Sequence, residues 1–370
     1  MMKIGILTSS RADFGIYLPL LKKLRADTDF NLNIIAFGTH LSGFHDNTIE
    51  IIRSANFEVK YTVESMLLTD SPNAIGTALG LTTVKFADFW KNHKNEFDLV
   101  FCLGDRYEMF AAVVAGIPFQ IPFAHIHGGE TTLGAIDNIF RHTISLASKY
   151  HFVSTAAHAH RVSELTANKN NIYNVGALSL DNVTDIDLLS TNEFHEKWGI
   201  DLNAPTILTT FHPETVAMEE NESYARELVK VLNNLTNYQI LVTMPNTDTA
   251  GSIIRKILID NFNNSKHVFL IENLGPQSYF TAMKYCSFLM GNTSSGIIEA
   301  ASFDKYVINL GNRQKGRAYG DNIIQVPINA KEIEKAIRLI EKENTYKGLN
   351  IYYKSNTADQ IVQVLKAIKS

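Results

Sequence analysis

Cysteine is scarce: Cys102 and Cys286 are the only two in 370 residues. They lie too far apart in sequence for metal-ligand spacing. Each sits in an apolar run, so both are expected as buried small side chains in a reducing compartment. An excess of positive charge is also lacking, with 34 Lys and Arg against 38 Asp and Glu and a formal net charge of −4. No whole-chain field then draws the protein to nucleic acid or to an anionic membrane, and any anion site must be locally basic. No charged segment followed by an apolar one precedes the strand-like Lys3–Thr8, so a cytoplasmic location is expected. The stretch Met109–Ala124 carries no charge, but Gly116, Pro118, Gln120 and Pro122 break it into a helix end, a turn and a short strand rather than a membrane span. A GxGxxG turn after the first strand is absent, which removes support for a dinucleotide-redox role. A Walker P-loop and a GxSxG elbow are absent too. There is no low-complexity tract, and 45% hydrophobic with 19% charged residues is a globular composition, not a disordered one.

What is present is a repeated alternation of strand-like and helix-like segments. In the first half, strands are expected at Lys3–Thr8, Asn31–Phe37, Asp98–Leu103, Pro122–Ile126, His151–Ser154 and Asn171–Val175. Helical spacing is seen over Ile16–Leu24, Tyr107–Val114 and Asn138–Ser148. The second half restarts the pattern, with strands at Ile207–Phe211, Gln239–Met244, Val268–Glu272, Phe288–Gly291 and Tyr306–Leu310. Helices fall within Glu219–Leu232, Gly251–Asn261, Gln277–Cys286 and Gly296–Ser302. Continuous apolar strands separated by helices imply an α/β fold with parallel sheets covered on both faces. Two domains are expected, residues 1–180 and 181–355, with the polar stretch Asp181–Pro205 as the boundary. A final helix within 356–370 is a candidate to pack back on the first domain.

Open parallel sheets bind ligands at the carboxyl ends of their strands, and the polar residues collect there. Arg11 follows the first strand, Asp105 and Arg106 the third, and His125, His127 and Glu130 the fourth. His212 and Asn292–Ser295 follow strands of the second half. Two facing sheets would bring these loops together across one cleft. Gly291-Asn292-Thr293-Ser294-Ser295-Gly296 opens a helix with small and hydroxyl residues, a pattern that offers backbone N–H groups to phosphate. Glu299 lies one turn further on, placed to accept from ribose hydroxyls. Arg313, Lys315 and Arg317 put three positive charges into five residues, which suits a diphosphate as well as a solvated turn. In His125-Ile126-His127-Gly128-Gly129-Glu130, alternation places both histidines on one side of a strand end. Metal ligation and general acid–base work are both open for this cluster. Asp137 and Arg141 are spaced i, i+4, followed by His142; an ordinary helix-surface ion pair would have the same spacing.

The ordered series Thr8–Asp13, Gly104-Asp105-Arg106, His125…Gly128-Gly129-Glu130, Ile136-Asp137…Arg141-His142, Gly291–Gly296…Glu299 and Gly311-Asn312-Arg313-Gln314 resembles the hydrolysing UDP-N-acetylglucosamine 2-epimerases of sialic-acid and legionaminic-acid type pathways. The resemblance runs over nearly the whole chain. It implies a GT-B fold, two Rossmann-like domains with parallel sheets facing a central cleft. It implies release of UDP from a UDP-sugar with inversion at carbon 2, through a 2-acetamidoglycal, with no cofactor and no metal. A homodimer or homotetramer is implied as well. By motif, Asp105, His127, Glu130, Asp137 and His212 become acid–base or sugar-positioning groups. Arg11, Asn292, Ser294, Ser295, Gly296 and Arg313 become diphosphate or sugar contacts, and Glu299 a ribose contact. Arg106, Arg141 and His142 would shape the site. Members of the sialic type usually read His-Ile-Glu-Gly-Gly-Glu, and here His127 takes the place of the first glutamate. That departure leaves one acid–base group unassigned and points toward the branch acting on UDP-N,N′-diacetylbacillosamine in place of UDP-GlcNAc. A non-hydrolysing epimerase and a GT-B glycosyltransferase using a UDP-sugar donor are the alternatives.

Overall fold

A computed structural model describes residues 1–43, 48–67, 69, 71–245, 251–343 and 345–369. The chain forms two compact units. Unit 1 holds Met1–Glu130, Asp137–Thr184 and Tyr352–Ser370; unit 2 holds Thr131–Ile136 and Asp185–Ile351.

The strands of unit 1 are β1 (Met2–Thr8), β2 (Phe30–Phe37), β3 (Val59–Val63), β4 (Leu99–Leu103), β5 (Phe123–Ile126), β6 (Tyr150–Val153) and β7 (Ile172–Asn174). They make one sheet in the order β3-β2-β1-β4-β5-β6-β7, every pair parallel. Strand periodicity explains why β4 is apolar throughout. Leu99, Phe101 and Leu103 enter one core cluster and Val100 and Cys102 the other, so both faces are covered. On the first face lie Tyr17, Leu20 and Leu24 of the helix Arg11–Ala26 and Ile361 and Leu365 of the helix Thr357–Lys369. Ser370, at the end of the segment expected to form this last helix, lies outside the described residues. On the second face lie Phe86, Phe89 and Trp90 of the helix Pro72–His93 and Met109 and Val113 of the helix Tyr107–Gly116. Both thiols are buried and free, and burial pushes each up to about 12, so neither is a nucleophile at neutral pH.

Unit 2 repeats the plan with β8 (Thr206–Thr210), β9 (Gln239–Thr243), β10 (Val268–Ile271), β11 (Phe288–Gly291), β12 (Val307–Leu310) and β13 (Ile323–Val326). Their order is β10-β9-β8-β11-β12-β13, again all parallel. In each sheet the winding reverses once, between β1 and β4 and between β8 and β11. Those reversals are the places where open α/β sheets bind ligands.

Several elements differ from the sequence reading. The helix expected from Ile16 begins at Arg11, because Ser10 caps it by accepting from the Asp13 amide while Asp13 holds both the Ser9 amide (2.9 Å) and the Ser9 hydroxyl (2.6 Å). The polar segment Asp181–Pro205 is not a plain linker. It contains the end of the helix Ser179–Asp185 and all of Thr191–Trp198, the latter started by a Ser190/Glu193 capping box. Residues 38–97, left unassigned from sequence, hold β3 and a helix of 22 residues, Pro72–His93. Met109–Ala124, by contrast, is as expected, a helix end, a short turn over Ile117–Phe119 and the start of β5. Among the described residues, no helix is long and apolar enough to cross a membrane.

Candidate active site

In unit 1 the loop after β4 meets the helix Asp137–Ala147. The Arg141 guanidinium, 2% exposed, is paired with the Asp105 carboxylate, 25% exposed. The i, i+4 spacing with Asp137 therefore does not make Arg141 a surface residue: its charge is buried and compensated by a carboxylate from a different strand end. Breaking such a buried pair is strongly destabilising, so Arg141 holds Asp105 with one oxygen fixed. Arg106 reaches back in two contacts, 3.2 and 3.0 Å, to the buried Glu108. Arg11 stands exposed at the first position of its helix.

His125 and His127 divide in role. His125 is fully buried, with Nε2 2.8 Å from the Gly104 carbonyl oxygen and Nδ1 3.0 Å from the Ser145 hydroxyl. A carbonyl only accepts, so Nε2 carries the proton and Nδ1 accepts from Ser145. Burial lowers this imidazole to about 3 and keeps it neutral. With both nitrogens engaged, His125 is a strut between the β4 turn and the helix Asp137–Ala147, outside both roles left open for it. Among the described residues, no group of three or more His, Cys, Asp and Glu side chains is placed to hold a metal ion.

His127 does not continue the strand alternation, because its φ is 65° and β5 has ended. A left-handed conformation at a non-glycine residue is costly and is kept only where surroundings impose it. Its amide donates to the Phe152 carbonyl at 3.0 Å, and its Nδ1 lies 3.0 Å from Oε1 of Glu130, which is 1% exposed. The carboxylate fixes the proton on Nδ1. Nε2 is then buried with no hydrogen-bond partner among the described residues. The paired glycines make this turn possible. A Cβ on Gly128 would stand 2.9 Å from both His125 Nδ1 and Ser145 Oγ, and one on Gly129 would stand 2.4 Å from the His158 carbonyl oxygen. Asp137 begins the helix that carries Arg141. His142 is half-buried, and burial, with the charges of Arg141 and Arg161, lowers it to about 4.

Unit 2 is organised by Asn292. Its Oδ1 accepts from the His212 amide at 2.7 Å and its Nδ2 donates to the His212 carbonyl at 2.8 Å, tying the end of β11 to the end of β8 across the switch point. Gln314 in turn donates to the Asn292 carbonyl at 2.8 Å. Asn292 was read from the sequence as a substrate contact. It is fully buried, and its side-chain amide is bonded to the His212 backbone. Gly296 likewise is buried, and a Cβ there would lie 3.1 Å from Val307, which makes it a helix–strand packing position. Gly291 has φ 150°, and its Cβ would fall 2.0 Å from the Thr210 carbonyl oxygen, so only glycine lets β11 lie this close to β8. Thr293 caps the short helix Ser294–Ile298, which leaves Ser294 and Ser295 on its first turn; the buried Glu299 follows it. Tyr279 hydrogen-bonds with Ser295 and Thr210, and burial pushes its phenol up to about 12. The segment Thr131–Ile136, between Glu130 and Asp137 in the chain, is anchored in unit 2. The Leu133 amide donates to the Lys315 carbonyl at 2.8 Å, and the Ile136 amide to Thr215 Oγ1 at 3.0 Å. Gly134 lies against Asn312 and Arg313, where a Cβ would meet the Asn312 carbonyl oxygen at 2.3 Å.

Thus Asp105 with Arg141, and His127 with Glu130, are joined in unit 1; His212 and Asn292 are joined in unit 2, next to the loop of Arg313. Glu108, Ser145, Ser154, His158, Tyr279 and Gln314 were missed as members of these networks. Their partners lie far off in sequence, apart from Arg106 beside Glu108 and Ser154 beside His158, so no local motif marks them.

A sequence profile described as UDP-N-acetylglucosamine 2-epimerase matches residues 22–366. The chain is 33% identical to the polysialic acid biosynthesis protein P7 of Escherichia coli, over 99% of this chain and 94% of that one. It is 32% identical to the UDP-N,N′-diacetylbacillosamine 2-epimerase (hydrolyzing) of Legionella pneumophila, over 99% and 96%. Among solved structures it is similar to the UDP-GlcNAc 2-epimerase of Neisseria meningitidis bound to UDP-GlcNAc, with a TM-score of 0.81, 16% identity, and coverage of 99% and 100%. That likeness places the chain in the GT-B fold.

Proposed function

Because the chain belongs to the UDP-N-acetylglucosamine 2-epimerase family, we propose that it is a hydrolysing 2-epimerase, converting a UDP-N-acetylhexosamine to UDP and the free 2-epimer. The substrate is UDP-GlcNAc or its 4-acetamido-6-deoxy relative, UDP-N,N′-diacetylbacillosamine. The product is a mannosamine-type sugar destined for nonulosonic acid synthesis. The observation that carries this reading is the full-length match to a relative named as hydrolysing. The buried acid–base pairs at the strand ends of unit 1 suit the chemistry.

The reaction first needs a base to take the proton from carbon 2. The electron pair forms the carbon 1–carbon 2 double bond as the bond from carbon 1 to the UDP oxygen breaks. Water then adds its oxygen to carbon 1, and a proton returns to the opposite face of carbon 2. Asp105, Asp137, His212 and the His127–Glu130 pair are the groups proposed to supply the acceptor and the donor. Arg141 holds Asp105 in place, and Arg106 and His142 shape its surroundings. Charge builds on the departing diphosphate. Arg313, Arg11, Ser294 and Ser295 meet it, and Glu299 takes the ribose hydroxyls. We place the protein in the cytoplasm as a homodimer or homotetramer.

Incubation of the purified protein with each nucleotide sugar, followed by chromatography, tests the reading. Accumulation of UDP and free 2-epimer in equal amounts is expected, without any acceptor. A UDP-linked epimer in its place would identify a non-hydrolysing enzyme, and UDP release only when an acceptor sugar is added would identify a glycosyltransferase.

A further inference from the structure

Glu130 does not hold His127 alone. Its Oε1 also lies 3.2 Å from the Ser154 hydroxyl, and that hydroxyl lies 3.0 Å from Nδ1 of His158. All four residues are buried, and Glu130 and Ser154 are at most 2% exposed. The donor direction is determined along the whole chain. A carboxylate accepts only, so Ser154 gives its proton to Glu130. The same oxygen must then receive from His158, whose Nδ1 carries a proton. Glu130 Oε1 therefore accepts from His127 Nδ1 on one side and from Ser154 on the other, and His158 stands behind Ser154.

The backbone ties the same groups together. Ser154 follows β6, and Thr155 caps the helix Ala156–Thr166 through the His158 amide at 3.2 Å. The Gly129 turn lies against the His158 carbonyl with no room for a Cβ. The Phe152 carbonyl, two residues before Ser154, receives the His127 amide. The chain from 152 to 158 thus contacts the 127–130 turn at its backbone and at its side chains.

We infer that Ser154 and His158 are positioning residues that orient the Glu130 carboxylate, lock His127 as the Nδ1–H tautomer and leave its Nε2 aimed for proton transfer. Carboxylate-oriented imidazoles depend on such support for both tautomer and direction. This rests on the assignment of His127 to the acid–base chemistry above. Loss of the Ser154 hydroxyl removes one of the hydrogen bonds that orient Glu130, and the His127 ring then populates the Nε2–H form, in which the proton occupies the position needed for acceptance.

Two readouts test the inference. In protein labelled with 15N-histidine and free of substrate, His127 should show a protonated Nδ1 and an unprotonated Nε2. S154A and H158L should raise the Nε2–H population, while H158N, whose amide can donate from the Nδ1 position, should keep the wild-type pattern. In turnover, S154A and H158L should lower kcat about 10- to 100-fold with KM within twofold of wild type, and H158N should recover most of the loss. An unchanged His127 tautomer in S154A would overturn the inference, as would equal changes in kcat and KM that H158N does not rescue. The NMR result needs no turnover, so absence of epimerase activity would count against the proposed function and leave the relay standing.

Discussion

D105N is expected to lower turnover by about 10²–10⁴-fold while leaving UDP affinity close to wild type. Asp105 stands at the end of β4, beside β1 where the sheet reverses, and its carboxylate is the outward end of a buried pair with Arg141. Asparagine keeps the shape and loses both the charge and the ability to carry a proton. Of the groups proposed for the diphosphate and ribose, Ser294, Ser295, Glu299 and Arg313 belong to unit 2 and Arg11 opens a different helix from the one that carries Arg141, so all should be undisturbed. A second effect accompanies the first. Arg141 is 2% exposed and would lose the Asp105 carboxylate it is paired with, and breaking a buried pair costs about 3–5 kcal/mol. The melting temperature should therefore fall, and the rate should be measured well below it. Calorimetric titration with UDP, together with steady-state kinetics, checks the split. A D105N protein that retains most of its kcat, or one that loses UDP binding in proportion, would contradict the role given to Asp105.

Mild acid should destabilise unit 1 steeply. His40, His125 and His151 are at most 3% exposed, and burial lowers them to about 4, 3 and 4. All three belong to unit 1. His40 is bonded at both nitrogens, to Thr8 and Thr48 hydroxyls at 2.9 Å each, and His125 is bonded at both of its own. The direction follows from proton counting. In the unfolded chain these histidines titrate near pH 6.5, whereas in the native protein they stay neutral far below that. Above pH 7 neither state binds the protons, and nothing is lost. As pH falls below 6.5 the unfolded state takes up protons that the folded state refuses, and stability drops until pH approaches the native values near 4. At pH 5 each histidine should have cost about 2 kcal/mol, about 6 together, against a typical total of about 5–15. Thermal unfolding at pH 7.5, 6 and 5 should show a transition that is flat at first and then falls steeply. Stability unchanged down to pH 5 would show that these rings are not held neutral.

The strand ends were legible in the sequence, because a parallel strand covered on both faces is apolar throughout and its polar continuation stands out. Leu99–Leu103 followed by Gly104-Asp105-Arg106 is such a case, and so is Phe288–Gly291 followed by Asn292. The helix Pro72–His93 was not legible, since Gly76, Gly80, Thr77, Thr82, Thr83 and Val84 all weaken helix propensity. It forms because Ala74, Ala78, Thr82, Phe86 and Trp90, spaced by four, are buried along one face. Its start was marked all the same, by Ser71 as cap and Pro72 in the first turn. Candidate site residues fall in short motifs, but the contacts of each side chain were not legible there. Nothing local separates His125, whose nitrogens are spent, from His127 two positions later, because the difference is made by Gly104, Ser145 and Glu130. Asn292 looked like a phosphate contact for the same reason: its partner is the backbone of His212, 80 residues away.

Proton nuclear magnetic resonance of the reaction run in deuterated water tests the central claim most directly. Abstraction at carbon 2, loss of UDP and hydration of the glycal together predict a free 2-epimer that carries deuterium at carbon 2 from the first turnover, with UDP in equal amount. A released sugar that keeps its original proton at carbon 2 would contradict the account.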